Sequence, residues 1–361
     1  METVDLREMQ DRLKEMPLMV EMHPLSLAFL PEEVRVFTDA WEMIDELDSP
    51  LPQVTKPMLC LHTDPSLQHR LPMLRCFHDP LTTKLNDVLL KRYDLVRRYI
   101  LHQSQLADKI VSSADADAVC LILVDGLAYE DIKRHAPEWL KHTTPVLVDG
   151  VSNTEQGMVR IVGKPTLAQR LSPIGLSSCM GFTYWERPEE PLTDRLFFGF
   201  GDRVYKVKSF GQVIETLSSA NLQRTFVQIV RAGLDGAAHR QREQPDVGSM
   251  VKGVLRDLEC VAEVFGKQGV RANVFLTSDH GILWAHEHRL QVYEVSSEPH
   301  PRHYEHAKHG KHVLTVGFEG KEFALLEYPY LRRELRGTEW GVHGGLSYEE
   351  SIVPLICLRT P

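Results

Sequence analysis

The sequence predicts an α/β protein, a doubly wound and mostly parallel sheet with helices on both faces, preceded by an amino-terminal helical module. Three observations carry this reading. Residues 118–124 form an unbroken apolar run, the pattern of a parallel strand covered on both sides. Further apolar runs at 146–148, 226–230, 274–276, 313–316 and 352–358 alternate with helical patterns, the clearest being Val251, Val254, Leu255, Leu258, Val261 and Phe265. Acidic residues and histidines stand just beyond several of these runs, where open α/β sheets keep their chemistry.

The first element in order is the stretch 1–114, where Leu6, Met9, Leu13 and Met16, then Leu85, Val88, Leu89, Leu95, Val96 and Tyr99, repeat at helical spacing between prolines. It carries no chemical motif. His23, His62, His69, His78 and His102 are scattered without ligand spacing and read as surface or capping residues. We expect this module to pack on the rest of the chain or to recruit protein partners.

Residues 115–361 form the second domain. Two of its connections, about 164–224 and 283–342, are long and are expected to be insertions serving as lids or substrate walls. The first holds Pro173, Pro188, Pro191 and the pair Phe197-Phe198; in it Tyr184-Trp185 reads as packing.

Composition narrows the function classes. Across 361 residues, Lys+Arg 41 against Asp+Glu 50 leaves a net charge of −9, so no global basic field draws nucleic acid or an acidic membrane. Cys60, Cys76, Cys120, Cys179, Cys260 and Cys357 are dispersed without zinc-like spacing and read as reduced, buried thiols. Residues 1–15 lack the form of a signal peptide, and no apolar run is long enough to span a bilayer, so a cytoplasmic protein without membrane partners is expected.

The chemistry sits at four places. Asp125 ends the first strong strand, followed by Gly126. Asp235 and His239 lie one helical turn apart after the run 226–230, with small residues between them. Asp279 and His280 follow the run 274–276 in Thr277-Ser278-Asp279-His280-Gly281, and His343 precedes the last strand between glycines. Each could be a capping acid or a solvated histidine if it stood alone. Together, Asp235, His239 and His343 make one mixed oxygen/nitrogen set, and Asp125, Asp279 and His280 make a second. Three protein ligands per ion leave a position open, as catalysis requires. Two divalent ions about 4 Å apart can stabilise both the attacking and the leaving oxygen of a displacement at phosphorus. Phosphoryl transfer is the chemistry implied.

In this order the residues resemble the alkaline phosphatase superfamily. The ending His343-Gly344-Gly345-Leu346-Ser347-Tyr348-Glu349-Glu350-Ser351-Ile352-Val353-Pro354 is similar to its PglZ-domain branch, whose members close on His-Gly-Gly, Ser-x-Glu-Glu and Val-Pro. The likeness spans about 119–358. It implies an alkaline-phosphatase-like fold, two metal ions held by the two sets above (zinc first, manganese or magnesium as alternatives), and a phosphate-ester substrate. It also implies a nucleophilic Thr or Ser between the first strand and the first helix, where Val151-Ser152-Asn153-Thr154 stands. Thr154 is the choice, because it begins a helix whose backbone N–H groups would face a phosphoryl group; Ser152 is the runner-up, and a plain helix cap is the alternative for either.

From the branch comes the expectation of a phosphodiesterase acting on a nucleotide or nucleic acid, in phage defence or signalling, with defence-system partners bound through the amino-terminal module. A phosphomonoesterase and a metal-binding but silent scaffold are the alternatives. The run His300, His303, His306, His309 and His312, with Arg302, Lys308 and Lys311, suits either a phosphate-contacting flap or a solvated loop. His286 and His288 flank it and admit the same two readings.

Overall fold

The computed structural model describes residues 100–184, 190–293 and 300–361, with isolated helical positions between 86 and 97. Two compact units divide at residue 100. In the first, Asn86, Leu89, Leu90, Tyr93, Val96 and Arg97 are helical. The earlier periodic positions, the histidines from His23 to His78, Cys60, Cys76 and Trp185 lie outside the described residues.

The second unit begins with helix α1 (Gln103–Ser112). Its buried Leu106, Ala107 and Ile110 join the same apolar cluster as Met158 and Ile161. The sheet-bearing unit therefore starts ahead of residue 115, because α1 buries its apolar face in the core of the sheet domain even though the chain's texture changes only at 118.

Among the described residues the central sheet has seven strands: β1 (Ala118–Asp125), β2 (Thr143–Leu147), β3 (Ser178–Tyr184), β4 (Val204–Lys206), β5 (Thr225–Ala232), β6 (Ala272–Ser278) and β7 (Ile352–Arg359). Their order is β2-β7-β6-β1-β5-β3-β4, and β7 alone runs against the rest. In β1, Ala118, Cys120, Ile122 and Val124 face one apolar cluster, while Val119, Leu121 and Leu123 face another on the opposite side. Burying such an aliphatic side chain contributes about 1.5–3 kcal/mol, so a run apolar at every position is driven to the centre of a two-faced sheet. Helices α2 (Tyr129–His135), α3 (Thr154–Val162), α4 (Asp235–Arg240) and α5 (Val247–Lys267) supply the layers. The doubly wound α/β fold is as the sequence predicts.

The segment 164–224 differs from expectation. It is not a wall outside the sheet: it contributes β3 and β4, with Met180 and Phe182 in the core. Its strand signal is weak because polar residues and Gly181 interrupt the run. The second long segment, 283–342, does lie outside the central sheet. Its run at 313–316 belongs to a separate three-stranded sheet of His303–Tyr304, Val313–Phe318 and Lys321–Leu326.

Because β7 is antiparallel, the chain stays at the carboxyl end of the sheet from the end of β6 until it descends at Ile352. That reversal delivers His343 to the same edge as Asp125, Asp235 and Asp279. The four described cysteines are free; Cys120 is buried and Cys179, Cys260 and Cys357 are half-buried. No helix among the described residues is long and apolar enough to cross a membrane.

Candidate metal centre

Strands β1, β5 and β6 are neighbours, so their carboxyl ends bring three acids to one place. Asp125 is the last residue of β1, Asp235 opens α4 just after β5, and Asp279 follows β6. The turns interlock through backbone bonds: Leu127 N–H donates to the His280 carbonyl at 2.8 Å and Leu234 N–H to the Gly126 carbonyl at 3.0 Å. Asp279 is fully buried, and its Oδ1 accepts from Gly126 N–H at 2.9 Å and His280 N–H at 2.8 Å. Its Oδ2 is buried with no hydrogen-bond partner among the described residues.

The two ligand sets read from the sequence form two groups in space. Asp235, His239 and His343 bring one donor atom each within 4.8 Å of one another, and so do Asp125, Asp279 and His280. The groups meet where the His280 and His343 rings stack, 4.0 Å between centroids and 16° between planes. The stack thus joins the two groups, with one imidazole from each.

Both rings are oriented from behind. His280 Nδ1 lies 3.1 Å from the Gly281 carbonyl and His343 Nδ1 lies 2.9 Å from the Ser152 carbonyl. A carbonyl only accepts, so each Nδ1 carries a hydrogen and each Nε2 points inward. His239 Nε2 and His343 Nε2 converge on Asp235 Oδ1 at 3.2 Å each, yet that oxygen has no aligned hydrogen bond among the described residues. Convergence of donor atoms without aligned bonds, together with the orphaned Asp279 Oδ2, fits cations at both groups.

The electrostatics are those of a charge-rich site held out of water. Burial raises the Asp279 carboxyl well above the usual carboxylate range, and the Asp125 charge adds to it. Burial alone would raise Asp235, but the imidazoles of His239 and His343 more than offset it and hold it well below that range. Burial takes His280 down to about 3. It also opposes charge on His343, which the Asp235 carboxylate nevertheless lifts to about 9.

Thr154 is the first residue of α3, and its hydroxyl lies 3.2 Å from Asp125 Oδ1 and 3.3 Å from His280 Nε2. The cap of that helix is Asn153, whose side chain accepts from Gln156 N–H at 3.0 Å. Helix α3 approaches so closely that a Cβ on Gly157 would sit 2.3 Å from the Asp279 carbonyl oxygen. Ser152 is fully buried and faces elsewhere: its hydroxyl donates to the Gly345 carbonyl at 2.9 Å and accepts from Gly344 N–H at 3.0 Å. It clamps the loop that carries His343.

Residues without a sequence signal support the centre. Gln103 Nε2 donates to the Ser278 carbonyl at 3.0 Å and to the Asp279 carbonyl at 2.7 Å. Arg160 Nε donates to Gln103 Oε1 at 3.1 Å, and Asp149 accepts from Ser104 Oγ at 2.6 Å, with His102 Nδ1 3.1 Å from its carboxylate. Thus α1, read as part of a module without chemistry, steadies the Asp279 turn. Arg302 is buried against Glu350 at 2.6 Å and is not a phosphate contact, whereas His306, His309 and Lys311 are exposed.

Behind the Asp279–Gly281 turn lies Glu349, whose carboxyl oxygens are buried without hydrogen-bond partners among the described residues, Oε1 lying 3.7 Å from His288 Nε2. Burial pushes this carboxyl up to about 7 from 4.5, and burial does the same to Asp131, to about 7. A carboxyl raised on folding contributes stability that is complete below its ordinary range and is lost as pH rises through its folded value. The chain is therefore expected to lose stability between pH 4.5 and above 7. Glu349→Gln should flatten that loss by about 3 kcal/mol. Urea unfolding of both proteins at acid and alkaline ends of this window checks it; equal losses would contradict it.

No family model and no curated protein matches the sequence. In three dimensions the chain is similar to murine ectonucleotide pyrophosphatase/phosphodiesterase 5, at 13% identity over 66% of this chain and 87% of that one, TM-score 0.43. It is also similar to phosphonoacetate hydrolase from Sinorhizobium meliloti 1021, at 12% identity over 68% and 91%, TM-score 0.48. A third is TAB5 alkaline phosphatase, at 9% identity over 67% and 91%, TM-score 0.34.

Proposed function

We propose that this chain is a metal-dependent hydrolase of phosphate esters, with Thr154 as nucleophile. The observation that carries it is the Thr154 hydroxyl, 3.2 Å from Asp125 and 3.3 Å from His280, beside two three-residue ligand groups that meet at the His280–His343 stack. Divalent ions held by these groups, zinc by the share of imidazole among the donors, would supply Lewis-acid stabilisation of charge at the attacking and leaving oxygens.

The chain's own residues do the rest. Thr154 Oγ attacks phosphorus in line while Asp125 Oδ1 is placed to take the hydroxyl proton, and the phosphorus–oxygen bond to the leaving group breaks, expelling an alkoxide that takes a proton from water. The amino-terminal end of α3, which Thr154 opens, favours negative charge on the transferred phosphoryl group. Water then attacks the phosphothreonine, the bond to Thr154 Oγ breaks, and the hydroxyl regains a proton. His280 and His343, locked through Nδ1, keep their geometry throughout.

The substrate we favour is a phosphodiester in a nucleotide or nucleic acid, and the setting a cytoplasmic phage-defence or signalling system with protein partners on the amino-terminal module. Support comes from the resemblance of the ending from His343 to Pro354 to the PglZ branch, while the net charge of −9 weighs against long duplex DNA. Bis(p-nitrophenyl) phosphate should turn over faster than p-nitrophenyl phosphate on chain loaded with zinc, manganese or magnesium. Faster monoester cleavage would make this a phosphomonoesterase, and metal uptake without turnover of either ester would make it a scaffold.

A further inference from the structure

We propose that His300, His303 and Glu305 form a third divalent-cation site, separate from the two groups above. It goes beyond the phosphoesterase reading and does not depend on it. The donors are two imidazoles and a carboxylate, one atom from each lying within 4.8 Å of the others. Such a mixed nitrogen/oxygen set takes a borderline ion, zinc before magnesium.

The site has a built floor. His303 is only 1% exposed, and its strand, His303–Tyr304, pairs with Lys321–Leu326. Its carbonyl accepts from the buried Arg332 guanidinium. The preceding residue, Arg302, is tied through its carbonyl to Leu326 N–H at 2.9 Å and through its guanidinium to Glu350 at 2.6 Å. A buried imidazole requires partners for its nitrogens. His303 Nδ1 is buried and has none among the described residues, and the phosphoester mechanism gives this ring no task.

The other two ligands face water and give an ion access. His300 stacks on His303 at 4.4 Å between centroids, and its Nε2 lies 3.4 Å from Glu305 Oε1. His300 is partly exposed and Glu305 exposed, so both side chains have room to turn toward an ion. The other histidines of the run do not share this arrangement: His306 and His309 are exposed, and His312 is paired with Glu327. A cation here would stand next to the loop of His343, since a Cβ on Gly344 would fall 2.4 Å from His303 Nδ1.

The test counts zinc bound to the full chain, by elemental analysis after equilibration with zinc and removal of the excess. His300→Ala and Glu305→Gln are suitable variants because neither residue is buried; unchanged thermal unfolding without metal would confirm their folds. Each variant should hold one zinc fewer per chain than the wild type. Equal zinc content in all three overturns the proposal. The difference between proteins decides this site, whereas the number left in the variants reports on the main centre, so the two readings fail separately.

Discussion

Asp279→Asn should lower metal-dependent phosphate-ester cleavage by roughly 1000-fold or more, about 4 kcal/mol of transition-state stabilisation. The amide keeps an oxygen for the Gly126 and His280 N–H groups, so the turn after β6 retains its bonds. What it loses is the anionic donor in the group of Asp125, Asp279 and His280. The metal-free variant should therefore unfold within about 1 kcal/mol of the wild type, while added zinc stabilises the wild type more. Asp279→Ala would also lose turnover but would strand two backbone donors, at about 1–3 kcal/mol each, and so confounds ligand loss with a damaged turn. Undiminished turnover in Asp279→Asn, with zinc content equal to that of the wild type, would sink the assignment of this group.

Thr154→Ala should abolish turnover to a similar degree, roughly 1000-fold or more, and Thr154→Ser should retain part of it. Thr154 tops α3 with its hydroxyl directed at Asp125 and His280, whereas the cap of that helix is Asn153, so the alanine variant keeps its helix. Ser152→Ala separates the two hydroxyls. Its loss leaves the Gly344 N–H and Gly345 carbonyl unpaired in a buried place, destabilising the chain by about 1–3 kcal/mol while leaving the nucleophile in position. Acid quenching during turnover with a phosphate-labelled substrate should place the label on the Thr154 peptide. An inactive but folded Ser152→Ala beside an active Thr154→Ala would reverse the roles.

The centre of this fold is legible because burial on both faces demands apolar residues at every position. The runs at 118–124, 226–230 and 274–276 became β1, β5 and β6, side by side. A strand-end acid needs only its strand to be found, so Asp125, Asp235 and Asp279 are readable with it. Strands β3 and β4 were not, since their side of the sheet tolerates the polar residues and the glycine that break the run. Gln103, Arg160 and Asp149 act through bonds to distant backbone or to one another, and such contacts leave no period or spacing in the chain. Arg302 shows the same limit from the other side: a cation among histidines suggests a phosphate contact until Glu350, far along the sequence, is seen to neutralise it.

By itself the sequence determined the two-faced α/β sheet and the inventory of acids and histidines waiting at its strand ends. Apolar runs and the residues that follow them are local, and local patterns are written along the chain. The tertiary structure decided how the two sets meet. Antiparallel β7 brings His343 back over the sheet edge, its ring stacks on His280, and the two three-residue groups lie on either side of that stack. It also turned Thr154 toward Asp125 and Ser152 into the loop beneath His343. The sequence favours Thr154 of the two hydroxyls because it begins the helix, and the direction of that helix turns it toward Asp125 and His280.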